Sequence, residues 1–232
     1  PLNMKLKVNH RNEPLSIEVW MSENKNLNKE LVIFMPGLGG DIANYRWIGS
    51  ILSKMGWPTV FIEHEGSNSI ALKSFMEGDT ALPGGADFYL YRLKDLNAVI
   101  NAHANGFFGK DDGSYILMGH SLGSLISFLY EGNPPKEGFD LRCDKELKDF
   151  ALTNLSKLLQ CQLSEIPLPD LNNSNRLKAI IGFNSFGSLI WPSTKSSGIE
   201  VPVLLIGGTF DLITPILEEQ FKVFSSTLGN SL

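Results

Sequence analysis

The feature that most restricts the fold of this chain is the regular alternation of short apolar runs with amphipathic stretches. Leu31–Met35 is a continuous apolar run, as expected of a strand that helices cover on both faces. Similar runs recur at Thr59–Ile62, Ser114–Met118, Leu177–Phe183 and Val201–Ile206, and stretches of helical periodicity lie between several of them. The pattern predicts an α/β fold with a mainly parallel central sheet and helices on both faces.

The interruptions of this pattern indicate how the chain is organised. The alternation stops between residues 131 and 175, which we interpret as a helical lid inserted over one end of the sheet. The whole chain, 1–232, is expected to form a single domain that includes this insertion. An antiparallel strand pair is predicted at Lys5–Val8 and Leu15–Met21. A polar loop is predicted at Glu63–Ala86 and a last helix at Pro215–Leu228. A helix in this pattern normally returns the chain to the sheet, so we expect a further strand and loop after residue 232.

Charge and hydropathy argue against two classes of partner. Twenty basic and 25 acidic side chains give a formal net charge of −5, which offers no basic footprint for nucleic acid. No apolar run reaches the roughly 18 to 20 residues that span a bilayer, and Pro1–Trp20 has no apolar signal-peptide core. We therefore expect a small-molecule substrate and no transmembrane segment. The cytoplasm is the default compartment, and export stays open because a leader can be removed.

The two cysteines, Cys143 and Cys161, are too few for a disulfide framework, and no Cys/His spacing resembles a zinc site. In one unbroken helix the two thiols would lie about 27 Å apart. A turn at Thr153–Asn154 would let them meet. Reduced buried thiols and a disulfide within the lid both stay open.

The most informative motif is Gly119-His120-Ser121-Leu122-Gly123, which directly follows an apolar run and directly precedes a predicted helix. This is G-x-S-x-G in a strand–turn–helix context. Such a turn exposes the serine hydroxyl, and the helix N-terminus points backbone N–H groups toward developing negative charge. Ser121 is the candidate nucleophile, and the Leu122 N–H is a candidate oxyanion donor. The alternative is a glycine-rich turn with a bystander serine.

A second glycine-rich segment, Pro36–Gly40, follows an earlier strand and is expected at the same carboxyl edge of the sheet. Its glycines let the backbone approach a substrate closely. We expect the Leu38 N–H to complete the oxyanion hole, with Gly39 as a further pocket residue. The alternatives are a flexible loop and a phosphate cradle, but the glycine spacing matches neither common nucleotide-binding motif.

The candidate acid is Asp211, which follows Val201–Ile206 and comes after Ser121 in the chain. This agrees with the order serine, acid, histidine. The loop after the preceding strand, Asn184 to Gly187, contains no carboxylate. The alternative is that Asp211 only caps a helix that starts near Pro215.

A serine hydroxyl is a poor nucleophile until an imidazole takes its proton, so the histidines matter. His10 is expected far from the carboxyl edge of the sheet, and His103 on a solvated helix surface. The His120 side chain should point away from Ser121, because neighbouring residues of an extended segment face opposite ways. His64 ends a strand at the carboxyl edge, and with His120 it is a candidate pocket residue.

The segments that carry these residues, from Leu31 to Leu228, resemble the α/β-hydrolase superfamily. His64-Glu-Gly-Ser67, Arg92 to Asp95 and Gly208-Thr-Phe-Asp211 resemble its branch of predicted dienelactone hydrolases and platelet-activating-factor acetylhydrolase-type lipases. The resemblance implies a serine hydrolase that cleaves carboxylic esters through an acyl-enzyme. No metal or organic cofactor is expected, since this chemistry needs neither. Arg92 and Asp95 are expected to form an i, i+3 ion pair or a structural contact.

In that superfamily the catalytic histidine comes from the loop after the last strand, whereas no histidine follows Asp211 here. We therefore expect the base to lie beyond Leu232. The competing interpretation is an α/β-hydrolase-like binding protein that has lost its chemistry. Thioester and lactone hydrolysis are alternatives within the enzyme class.

Overall fold

The computed structural model describes residues 1–22, 30–79, 87–109, 113–131, 134–148, 153–165, 175–192, 201–221 and 223. Within these residues, seven strands form one sheet in the order β1-β2-β4-β3-β5-β6-β7. They are β1 (Leu2–Leu6), β2 (Leu15–Trp20), β3 (Leu31–Met35), β4 (Thr59–Ile62), β5 (Tyr115–His120), β6 (Leu177–Phe183) and β7 (Val203–Ile206). β2 pairs antiparallel with β1 and β4, and all other neighbours are parallel. The predicted mainly parallel sheet is confirmed.

Six α-helices are present in the described residues: α1 (Arg46–Lys54), α2 (Ser69–Met76), α3 (Asp87–Ala104), α4 (Leu122–Tyr130), α5 (Phe139–Lys148) and α6 (Ser156–Gln162). Short 3₁₀ turns lie at Ile42–Tyr45 and Leu163–Glu165. The last element is a π-helical turn at Leu217–Phe221. Residues 224–228, the end of the predicted last helix, lie outside the described residues.

Helix α2 contradicts the prediction of a polar loop over Glu63–Ala86. The helix begins after Asn68, whose side chain accepts a hydrogen bond from the Ala71 N–H at 3.2 Å. None of its eight residues is buried. Its Ile70, Phe75 and Met76 side chains are exposed, so the apolar residues of this segment form no buried face.

Both faces of the sheet are covered, and β3 shows how. Ile33 packs into a large apolar cluster with residues of α3 and α4, whereas Phe34 packs into a second cluster with Ile48 of α1 and Phe61 of β4. Successive side chains of a strand point to opposite faces, so a continuous apolar run serves both clusters. Burial of one such side chain stabilises the fold by about 1.5–3 kcal/mol.

A disulfide joins Cys143 of α5 to Cys161 of α6, whose Cα atoms are 5.4 Å apart. Thr153 and Asn154 lie between the two helices, where a turn was needed to bring the thiols together. The structure thus selects the disulfide from the two possibilities. Closing a loop of this length is expected to contribute about 3 kcal/mol to stability.

Candidate active site

Ser121 occupies the turn between β5 and α4 in a strained backbone conformation, with φ 50° and ψ −116°. A positive φ is uncommon for a residue with a side chain and is found at functional turns. The turn also requires glycine on both sides. A Cβ atom at Gly123 would lie 2.0 Å from the Met35 carbonyl oxygen, and one at Gly119 would lie 2.3 Å from the Gly123 carbonyl carbon. The G-x-S-x-G spacing is therefore explained by close packing.

The loop after β3 packs directly against this turn. A Cβ atom at Gly37 would lie 3.2 Å from the Ser121 Cβ atom. The Gly39 N–H donates to the Ser67 carbonyl at 2.8 Å, so this amide is already used within the fold. Among the described residues, the N–H groups of Leu38 and Leu122 have no hydrogen-bond partner. These two N–H groups are therefore better candidates for oxyanion donors than the Gly39 N–H, which is already hydrogen-bonded.

Asp211 lies in the turn after β7, and its carboxylate accepts four hydrogen bonds. Oδ1 accepts from the N–H groups of Ile213 at 2.8 Å and Thr214 at 2.9 Å. Oδ2 accepts from the Thr214 hydroxyl at 2.7 Å and from the Asn184 side-chain amide. Burial raises the pKa of Asp211, but these hydrogen bonds outweigh it and leave the pKa below its usual value. The residue caps its own turn and is ionised at neutral pH.

The carboxyl end of β6 connects the serine to this acid. The Ser121 N–H donates to the Phe183 carbonyl at 2.8 Å, and the next residue, Asn184, donates from its side chain to Asp211. Asn184 also has a positive φ of 49°, which asparagine tolerates better than most residues. Sequence reasoning missed Asn184. Its only signal was an asparagine immediately after a strand, at the edge where the site was expected.

His120 lies beside the serine but is turned toward another partner. Its Nδ1 atom is 3.1 Å from the Tyr45 hydroxyl, and the two rings are in contact. Burial lowers the pKa of His120, and the negative charge of Asp211 opposes this only in part. The imidazole is therefore neutral at neutral pH, and its Nδ1 atom is engaged by Tyr45 rather than by Ser121.

A buried polar cluster centred on Asp95 lies at the carboxyl end of β4. The Asp95 carboxylate accepts from Arg11 Nε at 2.7 Å and Nη2 at 2.6 Å, and contacts His10 Nε2 at 2.7 Å and His64 Nδ1 at 2.9 Å. Burial would raise the pKa of Asp95, but the bonds from His64 and Arg11 outweigh it and lower the pKa to about 2. The expected ion pair with Arg92 is not among the described contacts, because three other side chains occupy the carboxylate.

Two positions expected for the histidines are wrong. His10 lies near the carboxyl edge, because β2 runs antiparallel to β4 and returns its preceding turn to that end; Arg11 beside it donates to the Glu65 carbonyl at 2.9 Å. His103 is buried rather than solvated, with Nε2 3.1 Å from the Ser114 carbonyl oxygen. The end of α3 packs against the residue that precedes β5, which the spacing of α3 alone does not reveal.

His64, a candidate pocket residue, is only 2 % exposed. Burial lowers its pKa to about 4, and the positive charge of Arg92 adds to this effect, so the ring is neutral at neutral pH. Its bond to Asp95 places it in the buried cluster beneath the surface rather than in an open cavity.

In the ranges described above, no histidine is hydrogen-bonded to Ser121 or Asp211. The same residues include no cluster of three or more His, Cys, Asp or Glu side chains that could hold a metal ion. None of the helices that can be described has the length and apolar character needed to cross a membrane.

We compared the sequence and the fold with those of known proteins. No family model and no curated protein sequence matches the chain. Among solved structures, a lipase/esterase from Lactobacillus plantarum aligns with a TM-score of 0.55 at 15% identity, over 98% of this chain and 84% of its own. The esterase domain of a Rhodothermus marinus protein aligns with a TM-score of 0.53 at 11% identity, over 99% of this chain and 84% of its own.

A peptidase aligns as well as the esterases do. The acylaminoacyl peptidase of Pyrococcus horikoshii has a TM-score of 0.55 at 13% identity, over 96% of this chain but only 34% of its own. At these identities the likeness concerns the fold, and it confirms the predicted fold class. The chain has the α/β-hydrolase fold.

Proposed function

We propose that this protein is a serine hydrolase that cleaves carboxylic esters through an acyl-enzyme at Ser121. The observation that carries the proposal is the backbone of Ser121, which is held at φ 50° between β5 and α4 by two obligatory glycines. Such a conformation costs about 1–3 kcal/mol and is retained where the surrounding fold imposes it for function.

In this mechanism the Ser121 oxygen attacks the ester carbonyl carbon while a histidine takes the hydroxyl proton. The carbonyl oxygen becomes an oxyanion that accepts hydrogen bonds from the N–H groups of Leu38 and Leu122. Collapse of this intermediate breaks the bond to the alkoxy oxygen, which leaves as an alcohol with the histidine's proton. Water then adds to the acyl-enzyme by the same route and releases the acid and Ser121. Asp211 orients the histidine and stabilises its positive charge.

The histidine is proposed to follow Leu232, in the loop after a strand that pairs with β7. In the described part of the sheet, β7 is an edge strand, and its Leu204 and Ile206 side chains are exposed. Phe210, next to the proposed acid, is 96% exposed. A further strand with its loop would cover this apolar surface and reach Asp211. The imidazole N–H would replace the Thr214 hydroxyl or the Asn184 amide at Oδ2, since both of these side chains can rotate.

The insertion at 131–175 is proposed to act as a lid over an apolar acyl chain. Leu155 and Leu158, near and in α6, expose 39% and 41% of their surface, so the insertion presents apolar side chains to its surroundings. The Ser156 N–H donates to the Ile213 carbonyl at 3.0 Å, which joins α6 to the turn that carries Asp211. We further propose that the protein is related to the dienelactone hydrolase and platelet-activating-factor acetylhydrolase-type branch, on the basis of the sequence resemblance alone.

The second candidate is a binding protein with this fold but without catalysis. It is favoured by the fully bonded carboxylate of Asp211, whose four hydrogen bonds leave no free position for an imidazole. Thioester and lactone hydrolysis would use the same groups. A thioester has sulfur as its leaving atom, and in a lactone the leaving alkoxy oxygen stays attached to the acyl part.

The test is hydrolysis of p-nitrophenyl esters from acetate to palmitate by the full-length protein, followed in the millisecond range. We expect a burst of p-nitrophenol equal to the enzyme concentration and then a slower steady rate, because the good leaving group makes acylation of Ser121 faster than hydrolysis of the acyl-enzyme. The reading frame after residue 232 should encode a strand and a histidine within a few tens of residues. The binding protein would be favoured if none of the esters were turned over in a Ser121-dependent way. It would also be favoured if the sequence after residue 232 encoded no histidine.

A further inference from the structure

Arg92 is a fully buried arginine whose hydrogen bonds go to the loop that carries the proposed oxyanion amide. It lies on α3 and is 1% exposed. Nη1 donates to the Pro36 carbonyl at 2.5 Å, and Nη2 donates to the Gly37 carbonyl at 3.0 Å. Nε donates to the Ser67 hydroxyl at 2.8 Å, and Nη2 also reaches the Ser67 carbonyl at 3.3 Å. One side chain thus joins the loop after β3 to the segment after β4.

The partners of Arg92 are unusual for a buried cation because they are all neutral. Buried charges are normally paired with an opposite charge. The nearest candidate on the same helix, Asp95, is instead bound by Arg11, His10 and His64. Burial lowers the pKa of Arg92 to about 10, while the charge of Asp95 acts against that change, so the guanidinium keeps its proton at neutral pH. Among the described residues, no counter-ion contacts this positive charge, which lies behind the loop.

The bond to Gly37 matters because of the peptide to which this carbonyl belongs. The Gly37 C=O and the Leu38 N–H are the two ends of one peptide unit, and Arg92 donates to the first of them. A hydrogen bond to the oxygen of a peptide polarises it and makes its N–H a stronger donor. The Gly39 N–H, one residue further on, is tied to the Ser67 carbonyl, which Arg92 also contacts. The Leu38 N–H is thus polarised and fixed in direction.

We propose that Arg92 is a positioning residue of the oxyanion hole: it fixes and polarises the Gly37–Leu38 peptide and places a positive charge behind the oxyanion. This inference rests on the proposed hydrolase function. An oxyanion exists only in the tetrahedral intermediate and its transition states, so the effect of Arg92 should fall on kcat and not on substrate binding.

The test compares Arg92→Lys and Arg92→Met with the wild type in the full-length protein, using an ester for which turnover is lost in Ser121→Ala. We expect kcat to fall by about 10–100-fold while KM changes by less than about twofold, since loss of a whole oxyanion donor costs about 10²–10³ in kcat. Affinity for a trifluoromethyl ketone, whose serine adduct carries an oxyanion, should fall by the same factor as kcat/KM. Arg46→Ala is the control, because Arg46 pairs with Glu18 on the half-exposed side of α1, and its kcat should be unchanged.

The outcomes separate the two proposals. If the wild type shows no Ser121-dependent turnover, the proposed function fails. If turnover depends on Ser121 but the Arg92 variants keep wild-type kcat, or raise KM instead of lowering kcat, the inference about Arg92 is overturned. Should both Arg92 variants fail to fold, Ser67→Ala carries the same test. It removes the hydroxyl that Arg92 Nε contacts and should lower kcat several-fold at constant KM, whereas an unchanged kcat contradicts the inference.

Discussion

Ser121→Ala is expected to lower kcat for ester hydrolysis by on the order of 10⁶, since loss of a nucleophilic serine has about that effect in a well-studied serine protease. Alanine has a Cβ atom like serine and meets the same positive φ, so the turn and the core around it should persist. The residual rate should show no burst of p-nitrophenol. The measurement is pre-steady-state and steady-state hydrolysis at saturating substrate.

The matched control for this variant is Ser53→Ala on α1. The Ser53 hydroxyl is buried and, within the described part of the chain, bonds only to the Ser50 carbonyl at 3.3 Å. Its removal should leave kcat unchanged. Equal turnover by the wild type and Ser121→Ala would show that Ser121 is not the nucleophile.

Asp211→Asn is expected to lower kcat by about 10⁴-fold, as replacement of the triad acid by its amide does in a serine protease. The physical reason is that an amide does not stabilise the imidazolium and can hold the imidazole in the wrong tautomer. Asparagine keeps one oxygen, which can still accept from the N–H groups of Ile213 and Thr214. The turn should therefore stay folded, and KM should change little.

The Asp211 result also separates the acid from a simple cap. If the carboxylate only caps its turn, Asp211→Asn should lower the melting temperature slightly and leave kcat at the wild-type value. Asp79→Asn, at an exposed position after α2, is the control and should change neither quantity. Steady-state kinetics and thermal unfolding, measured on the same preparations, decide between the two.

Local features of the site could be predicted from the sequence, and partners distant in the chain could not. The turn at Ser121 depends on five consecutive residues between a strand and a helix, so its position could be predicted from the sequence. The disulfide could only be left open, because it depends on a turn between α5 and α6. The contacts of Arg92 with Pro36 and Gly37 join residues more than 50 positions apart. Spacing along α3 suggested a pair with Asp95 instead, and the tertiary structure offers both residues better partners.

The histidines show the same division. For His120 the strand pattern predicts only a side chain that points away from Ser121. Its contact with the Tyr45 hydroxyl joins residues 75 positions apart and lies outside that local pattern. The positions of His10 and His103 depend on which strand end packs beside them, and this follows from the sheet order rather than from local pattern. Asn184 could not be predicted, because its hydrogen bond to Asp211 joins the segment after β6 to the turn after β7.

The central claim is that Ser121 is an activated nucleophile, and covalent labelling tests it most directly. The full-length protein is treated with a fluorophosphonate probe, digested and examined by mass spectrometry. We expect stoichiometric modification of the peptide that contains Ser121, faster than modification of any other serine, and its loss in Ser121→Ala. A protein that hydrolyses esters while Ser121 stays unmodified, or that is labelled equally in the alanine variant, would contradict the account.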